Sequence, residues 1–302
     1  MGKIIIVIHG LRNKPPKDLL LEWVSLSIQE GLNYVNTNVQ LPKMELVYWA
    51  DIMHEKPLSF EETNKKSPYY IDEKYIPQQK IKGCKQSILR QFIIHTLKKI
   101  IYAIFLKKDF SLRFKKISDK FIHYNFSDLE VYFNENCEAN AYACKQRDDI
   151  NNRLITLLEK YKNDEIFLIA HSMGSIIAFD VLNLISSNIR INTFISMGSP
   201  LGAPFVLSRI ARLYKSNMQE HIKLQTPETV YKHWYNFADI KDTIAMDYKL
   251  SEEFSENSKG VKVKDFLVRN TYKFEGKANH HKSFGYLRTP EFIKVLSNFI
   301  NE

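Results

Sequence analysis

Apolar residues along this chain follow two spacings. Ile4 to Ile8 (Ile-Ile-Ile-Val-Ile) is an unbroken β-branched run, the pattern of a short strand covered on both faces. Runs at Ile166–Ala170 and Ile191–Met197, and more interrupted ones at Met44–Ala50, near Trp234–Phe237 and at Val261–Val268, predict further strands. Between them the apolar positions move to intervals of three and four, which predicts helices. These cover about Pro16 to Glu30 (Leu19, Leu20, Trp23 and Leu26 on one side), 143–161, 173–186 and 290–301. Pro15-Pro16 suits a loop and a first helical turn. Strand–helix alternation with short buried strands predicts a doubly wound α/β sheet.

The alternation lapses over 52–140, which opens polar and Pro-punctuated (Pro57, Pro68, Pro77). We read it as an insertion into a core made of 1–51 and 141–302. Within it, Ile88, Leu89, Phe92, Ile93, Leu97, Ile100, Ile101, Ile104 and Phe105 recur at helical spacing. That predicts an amphipathic helix with a broad apolar side. Arg90, His95, Lys98 and Lys99 interrupt the run, so it is not a membrane span. Phe110, Phe114, Phe121 and Ile122 continue the apolar–basic mixture, and an aromatic and acidic stretch closes the insertion around Tyr124–Asn140. Two readings follow: a helical cap over the core with its lysines in water, or a helix lying on anionic lipid.

Composition sharpens this. The 302 residues are 44% hydrophobic and 13% aromatic, enough for a sizeable core and incompatible with wholesale disorder. The net charge of +9 is local: residues 80–120 hold 12 Lys or Arg against Asp109 and Asp119. The rest of the chain is near neutral. A basic segment can meet nucleic acid, anionic lipid or water. Nucleic-acid motifs are absent and lysines far outnumber arginines there, which argues against nucleic acid. Three cysteines, Cys84, Cys137 and Cys144, lack metal-ligand spacing and are expected as free thiols in a reducing compartment. The first apolar run is too short for a signal-peptide core. A cytoplasmic protein is expected, peripheral to a membrane if the basic segment meets lipid.

The chemistry concentrates where the strand Ile166–Ala170 runs into His171-Ser172-Met173-Gly174 and a helix follows at once. This is the nucleophile-elbow pattern, with Ala170 where a first glycine would stand. The nucleophile sits at strained dihedrals in a sharp turn, so residues two before and two after must be small. The turn presents the Ser172 hydroxyl at a helix N-terminus, which favours developing negative charge. A serine that only caps a helix is the alternative.

An acyl-transfer site also needs a base, an acid and oxyanion donors. In this architecture acid and base follow the serine in that order. His280 and His281 lie between the last strand and last helix, and His281 is preferred as base. Asp239 and Asp242 follow the strand containing Trp234–Phe237. Asp242 is preferred, because the apolar Thr-Ile-Ala after it would turn its carboxylate inward. The backbone N–H groups of Met173 and of Leu11, in the His9-Gly10-Leu11 loop, are the expected oxyanion donors. His9 reads as structural. No acidic cluster offers a third ligand beside His280 and His281, so a metal is not expected.

These pieces resemble the α/β-hydrolase superfamily, and bacterial serine hydrolases of its lipase and esterase branch in particular. The resemblance rests on Ile-His-Gly-Leu (8–11), Val-Tyr-Trp-Ala-Asp (47–51), Ala-His-Ser-Met-Gly-Ser (170–175), Gly-Ser-Pro-Leu-Gly (198–202), the segment 234–245, and His281 with Gly285-Tyr-Leu. The first strand begins near residue 4, so the leading strands of the full fold are missing and about six, mostly parallel, are expected. The resemblance implies a serine ester hydrolase acting on small-molecule or lipid esters: Ser172 attacks an acyl carbonyl, His281 takes its proton, Asp242 orients the imidazole, and an acyl-enzyme forms without a cofactor. The competing function is a hydrolase-fold protein without turnover that binds an anionic membrane or a protein partner through the insertion.

Overall fold

The computed structural model describes residues 2–37, 39–78, 88–107, 110–114, 127–134, 140–185, 188–214, 224–245 and 247–302. The elements that build the body are β1 (Lys3–Ile8), α1 (Lys17–Tyr34), β2 (Lys43–Val47), α2 (Ala50–Met53), α3 (Ile88–Phe105), α4 (Ser127–Phe133), α5 (Ala141–Lys160), β3 (Glu165–His171), α6 (Met173–Leu184), β4 (Ile191–Met197), α7 (Pro204–Tyr214), β5 (Val230–Ala238), β6 (Val263–Leu267), α8 (Ser283–Leu287) and α9 (Pro290–Asn301). The six strands form one sheet in the order β2-β1-β3-β4-β5-β6. Every neighbouring pair in it is parallel.

Strand alternation explains the unbroken apolar runs. Ile4, Ile6 and Ile8 face one core, shared with Leu154 of α5, Ile177 of α6 and Leu207 of α7. Ile5 and Val7 face the other, shared with Ile28 of α1 and Phe292 of α9. With helices on both faces, each strand needs apolar residues at successive positions. The order reverses between β1 and β3, because β1 is followed outward by β2 while later strands add on the other side. In open α/β sheets the crevice at the carboxyl ends of strands, at such a switch point, is where ligands bind. Ser172 follows β3 there, and Gly10 and Leu11 follow β1.

Several expectations need adjusting. Helix α1 continues past Glu30 to Tyr34 and buries Leu20, Trp23, Val24, Ile28 and Leu32, while Leu26 is exposed. Leu26 lies at the edge of the side that Leu20 and Trp23 bury, where the helix turns to solvent. Strand β2 stops at Val47, and Trp49 turns inward because its indole and backbone N–H groups both bond His9. The cysteine expectation fails at Cys144, which is disulfide-bonded to a partner outside the described residues. An odd number of thiols leaves room for one pair plus one, so the count alone excludes nothing. Cys84 and Cys137 lie outside the described residues, as do Phe121 and Ile122.

The lysines of the insertion are not all in water. Lys98 of α3 is 4% exposed. Its ammonium lies 2.7 Å from Asp247, 2.8 Å from Glu253 and 3.2 Å from Glu252. Burial alone would lower the Lys98 pKa; the charges of Asp247 and Glu253 outweigh it and hold it above the ordinary lysine value. A cation whose pKa is raised by folding contributes stability below its unfolded value and loses it as pH climbs through the folded one. This contribution therefore persists through neutral pH and disappears only in strong alkali. Lys98→Met leaves two buried carboxylates unpaired and is expected to destabilise the protein by about 3–5 kcal/mol, read as a lower urea midpoint.

Candidate active site

Ser172 has φ of 54° and ψ of −127°, a conformation rarely adopted by a residue with a Cβ. The strand before it and the helix after it impose the turn, whose backbone is pinned by Ser172 N–H donating to the Met197 carbonyl at 3.0 Å. The demand for small neighbours is visible at Gly174, where a Cβ would stand 2.7 Å from the His9 carbonyl oxygen and 2.8 Å from that of Ile8. Gly10 approaches from the other side: a Cβ there would meet Ser172 Cβ at 2.7 Å. The end of β1 and the elbow are thus in backbone contact.

The loop after β6 brings His281 over the serine. His281 Nε2 is 2.8 Å from Ser172 Oγ. Its Nδ1 is 2.8 Å from Asp242 Oδ2 and 3.0 Å from Oδ1. Burial alone would raise the Asp242 carboxyl. The hydrogen bond and charge of His281, then the hydroxyl of Tyr286 and the Ile244 N–H, outweigh burial and hold it below the ordinary range. Such a carboxylate stays ionised at neutral pH and keeps the facing Nδ1 protonated, leaving Nε2 as the acceptor for the serine proton.

The two alternatives, Asp239 and His280, also pair with each other, at 3.4 Å, but one step away from the serine. Asp239 accepts from the backbone N–H groups of Asn270 and Lys241 at 2.8 Å each. Asn270 in turn donates through its amide to the carbonyls of His280 and Lys282, at 2.9 and 2.8 Å, bracketing His281. This second pair shapes the loop that carries the first.

Three further residues act at the site and were missed as participants in the sequence. Tyr286 donates to Asp242 Oδ2 at 2.7 Å and accepts from the Asp239 N–H at 3.0 Å, tying the acid loop to α8. His171 donates Nε2–H to the His281 carbonyl at 2.7 Å. Burial, and then the charge of His281, push its pKa well below the ordinary histidine value, so it is a neutral support. Gly198, at φ of 55°, lies where a Cβ would crowd Asp242 and His281 at 3.1 and 3.2 Å. Its place in Gly-Ser-Pro and that of Tyr286 in Gly-Tyr-Leu were the available signals, without roles attached.

The expected oxyanion donors belong to the two segments that meet at the serine, the elbow itself and the loop after Gly10. Met173 N–H belongs to the first residue of α6. The Gly10–Leu11 peptide is oriented by His9, whose Nδ1–H donates to the Gly10 carbonyl at 2.8 Å. In a trans peptide that turns the Leu11 N–H the opposite way. His9 Nε2 accepts from Trp49 N–H at 3.1 Å. Burial holds the ring neutral, its pKa well below the ordinary histidine value. The loop beyond is fixed by Lys14, whose ammonium bonds the carbonyls of Leu11 and Arg12, and by Asp128, which accepts from Arg12 N–H at 2.8 Å. Burial, and then the nearby Lys282, bring Lys14 down to about 7.

A cavity of about 420 Å³ opens onto Ser172 and His281. Leu20, Trp23 and Val24 of α1 and Phe284 and Leu287 of α8 supply apolar wall, and Leu58, Glu73 and Asp128 come from the 52–140 segment. Among the described residues there is no group of three or more His, Cys, Asp or Glu placed to hold a metal ion.

Six parallel strands, helices on both faces, and a strand–elbow–helix unit at the sheet's switch point decide the architecture. The fold is that of the α/β hydrolases. Residues 141–241 match the family model described as lecithin:cholesterol acyltransferase. That stretch runs from α5 through the elbow to the start of the acid loop, ending just before Asp242. Comparison with curated proteins and with solved structures gives no match.

Proposed function

We propose that this chain is a serine hydrolase of lipid esters, working through Ser172, His281 and Asp242. The observation that carries the reading is the continuous hydrogen-bonded series from Ser172 Oγ through the His281 ring to Asp242, ending in a buried, ionised carboxylate. Ser172 attacks the acyl carbonyl, and its proton passes to His281 Nε2. The Leu11 and Met173 N–H groups receive the oxyanion. His281 then protonates the departing alcohol, and a second nucleophile releases the acyl group from Ser172.

Two features support a lipid as acyl donor. One wall of the cavity is aliphatic and aromatic, made by Leu20, Trp23, Val24, Phe284 and Leu287, while Lys14, Glu73, Asp128 and Lys282 line the rest, and the matched family's name joins a phospholipid donor to a sterol acceptor. In this reading the described parts of the 52–140 segment that line the cavity, through Leu58, Glu73 and Asp128, act as a cap on the site. The identity of the second nucleophile, water or an alcohol, is read from products. The test is a panel of esters from acetyl to long-chain acyl, phospholipid included, each with and without an alcohol acceptor. Acid or transferred ester released faster from medium or long chains than from acetyl is the expected result. No turnover of any ester by a folded chain would overturn the reading.

A further inference from the structure

Helix α3 is built inside out. Its polar side faces the protein: Lys98 enters the Asp247–Glu252–Glu253 cluster, and the Tyr102 hydroxyl lies between the Asp247 carboxylate, at 3.0 Å, and the Gly202 carbonyl. Its opposite side is apolar and faces out. Phe92, Ile93, Leu97, Ile100 and Ile104 are 47–67% exposed. Ile93, Leu97, Ile100 and Ile104 recur at intervals of four, three and four and form one stripe, which Phe92 widens at its start. Phe114, 47% exposed, extends the stripe through its edge contact with Phe105. A solvated cap helix would turn these faces the other way round.

The charge of the described residues next to the stripe in the chain selects its occupant. Residues 80–120 carry 12 Lys or Arg and two acids in sequence. Among the described ones Lys98 is consumed internally, while Lys99, beside Ile100, Lys107, shortly after Ile104, and Arg113, next to Phe114, are exposed. A second copy packed by two-fold symmetry would bring like charges together. An anionic bilayer supplies both an apolar phase for the stripe and counter-charge for its basic surround. The helix cannot cross that bilayer: no described helix is long and apolar enough. It lies on the same end of the molecule as the site, since Ile94 packs against the cluster of Ala238, Ala245 and Tyr248 and Tyr248 donates to the Gln91 carbonyl at 3.0 Å, with Ile244 of the same loop lining the cavity.

From these faces and charges we infer that α3 is a docking helix for an anionic lipid surface, held to the protein by its buried Lys98 and meeting lipid through Phe92, Ile93, Leu97, Ile100 and Ile104. The inference deepens the lipid-ester reading by saying where the substrate phase lies, and it rests on that reading only for the benefit it confers.

The test is flotation of the full chain with phosphatidylcholine vesicles with and without phosphatidylglycerol. The wild type, the double variant Leu97→Glu/Ile100→Glu and the double variant Lys99→Glu/Lys107→Glu are compared, with thermal melting as the folding check. The wild type is expected to bind the anionic vesicles at least tenfold more than the neutral ones, and less as salt rises. The first variant is expected to lose at least tenfold of that binding, and the second to lose the preference for anionic lipid. Undiminished binding by both variants, equal binding of the wild type to both vesicles, or a wild type that dimerises through α3 instead of floating overturns the inference. Fluorophosphonate labelling in vesicle-free buffer reads the hydrolase proposal separately. A chain that labels without floating defeats the docking helix, and one that floats without labelling defeats the hydrolase.

Discussion

Ser172→Ala is expected to lower kcat on the preferred ester by about 10⁶-fold with little change in KM. The reason is geometric. Ser172 Oγ is the atom placed 2.8 Å from His281 Nε2, at the point where the carboxyl end of β3 meets the first turn of α6. Removing it deletes covalent catalysis and leaves the cavity and the oxyanion donors intact, so ground-state binding persists. Alanine tolerates the positive φ no better and no worse than serine, so the melting temperature should move little. A tenfold fall instead would mean that another group performs the attack.

Asp242→Asn is expected to lower kcat by about 10⁴-fold. Oδ1 accepts the Ile244 and Ala245 N–H groups at 2.9 and 3.2 Å, while Oδ2 accepts from Tyr286 and His281. An asparagine keeps its oxygen on the two backbone donors and turns its NH2 toward the ring. His281 must then present an unprotonated Nδ1 and carry its proton on Nε2, which can no longer take one from Ser172. Asp239→Asn should cost far less, because that carboxylate holds Asn270 and the 279–282 loop rather than the ring that faces the serine. Steady-state kinetics on the two variants side by side separates them. Equal losses would contradict the assignment of Asp242.

Much of this was legible in the chain. Ile4–Ile8, Ile166–Ala170 and Ile191–Met197 read as strands because burial on both faces forces consecutive apolar residues, and the sheet places them so. The elbow was legible because sterics demand small residues at fixed offsets from a strained serine. Chain order narrowed acid and base to two neighbouring choices each, Asp239 or Asp242 and His280 or His281. It could not separate them, because both pairs are used: one aligns the serine and the other shapes the loop carrying it. Tyr286 and Asn270 were illegible as participants, since a single tyrosine or asparagine has no periodic signature and its role comes from a long-range meeting. Lys98 was misjudged because a lysine in a basic run reads as solvated. Only the fold brings Asp247, Glu252 and Glu253 to it.

The measurement that bears most directly on the central claim is fluorophosphonate labelling followed by peptide mass spectrometry, on the wild type, Ser172→Ala and His281→Ala. The account predicts one adduct, on Ser172, absent from the first variant and formed far more slowly in the second. A well-folded wild type that takes no adduct, or that carries it on a different serine, would contradict the account.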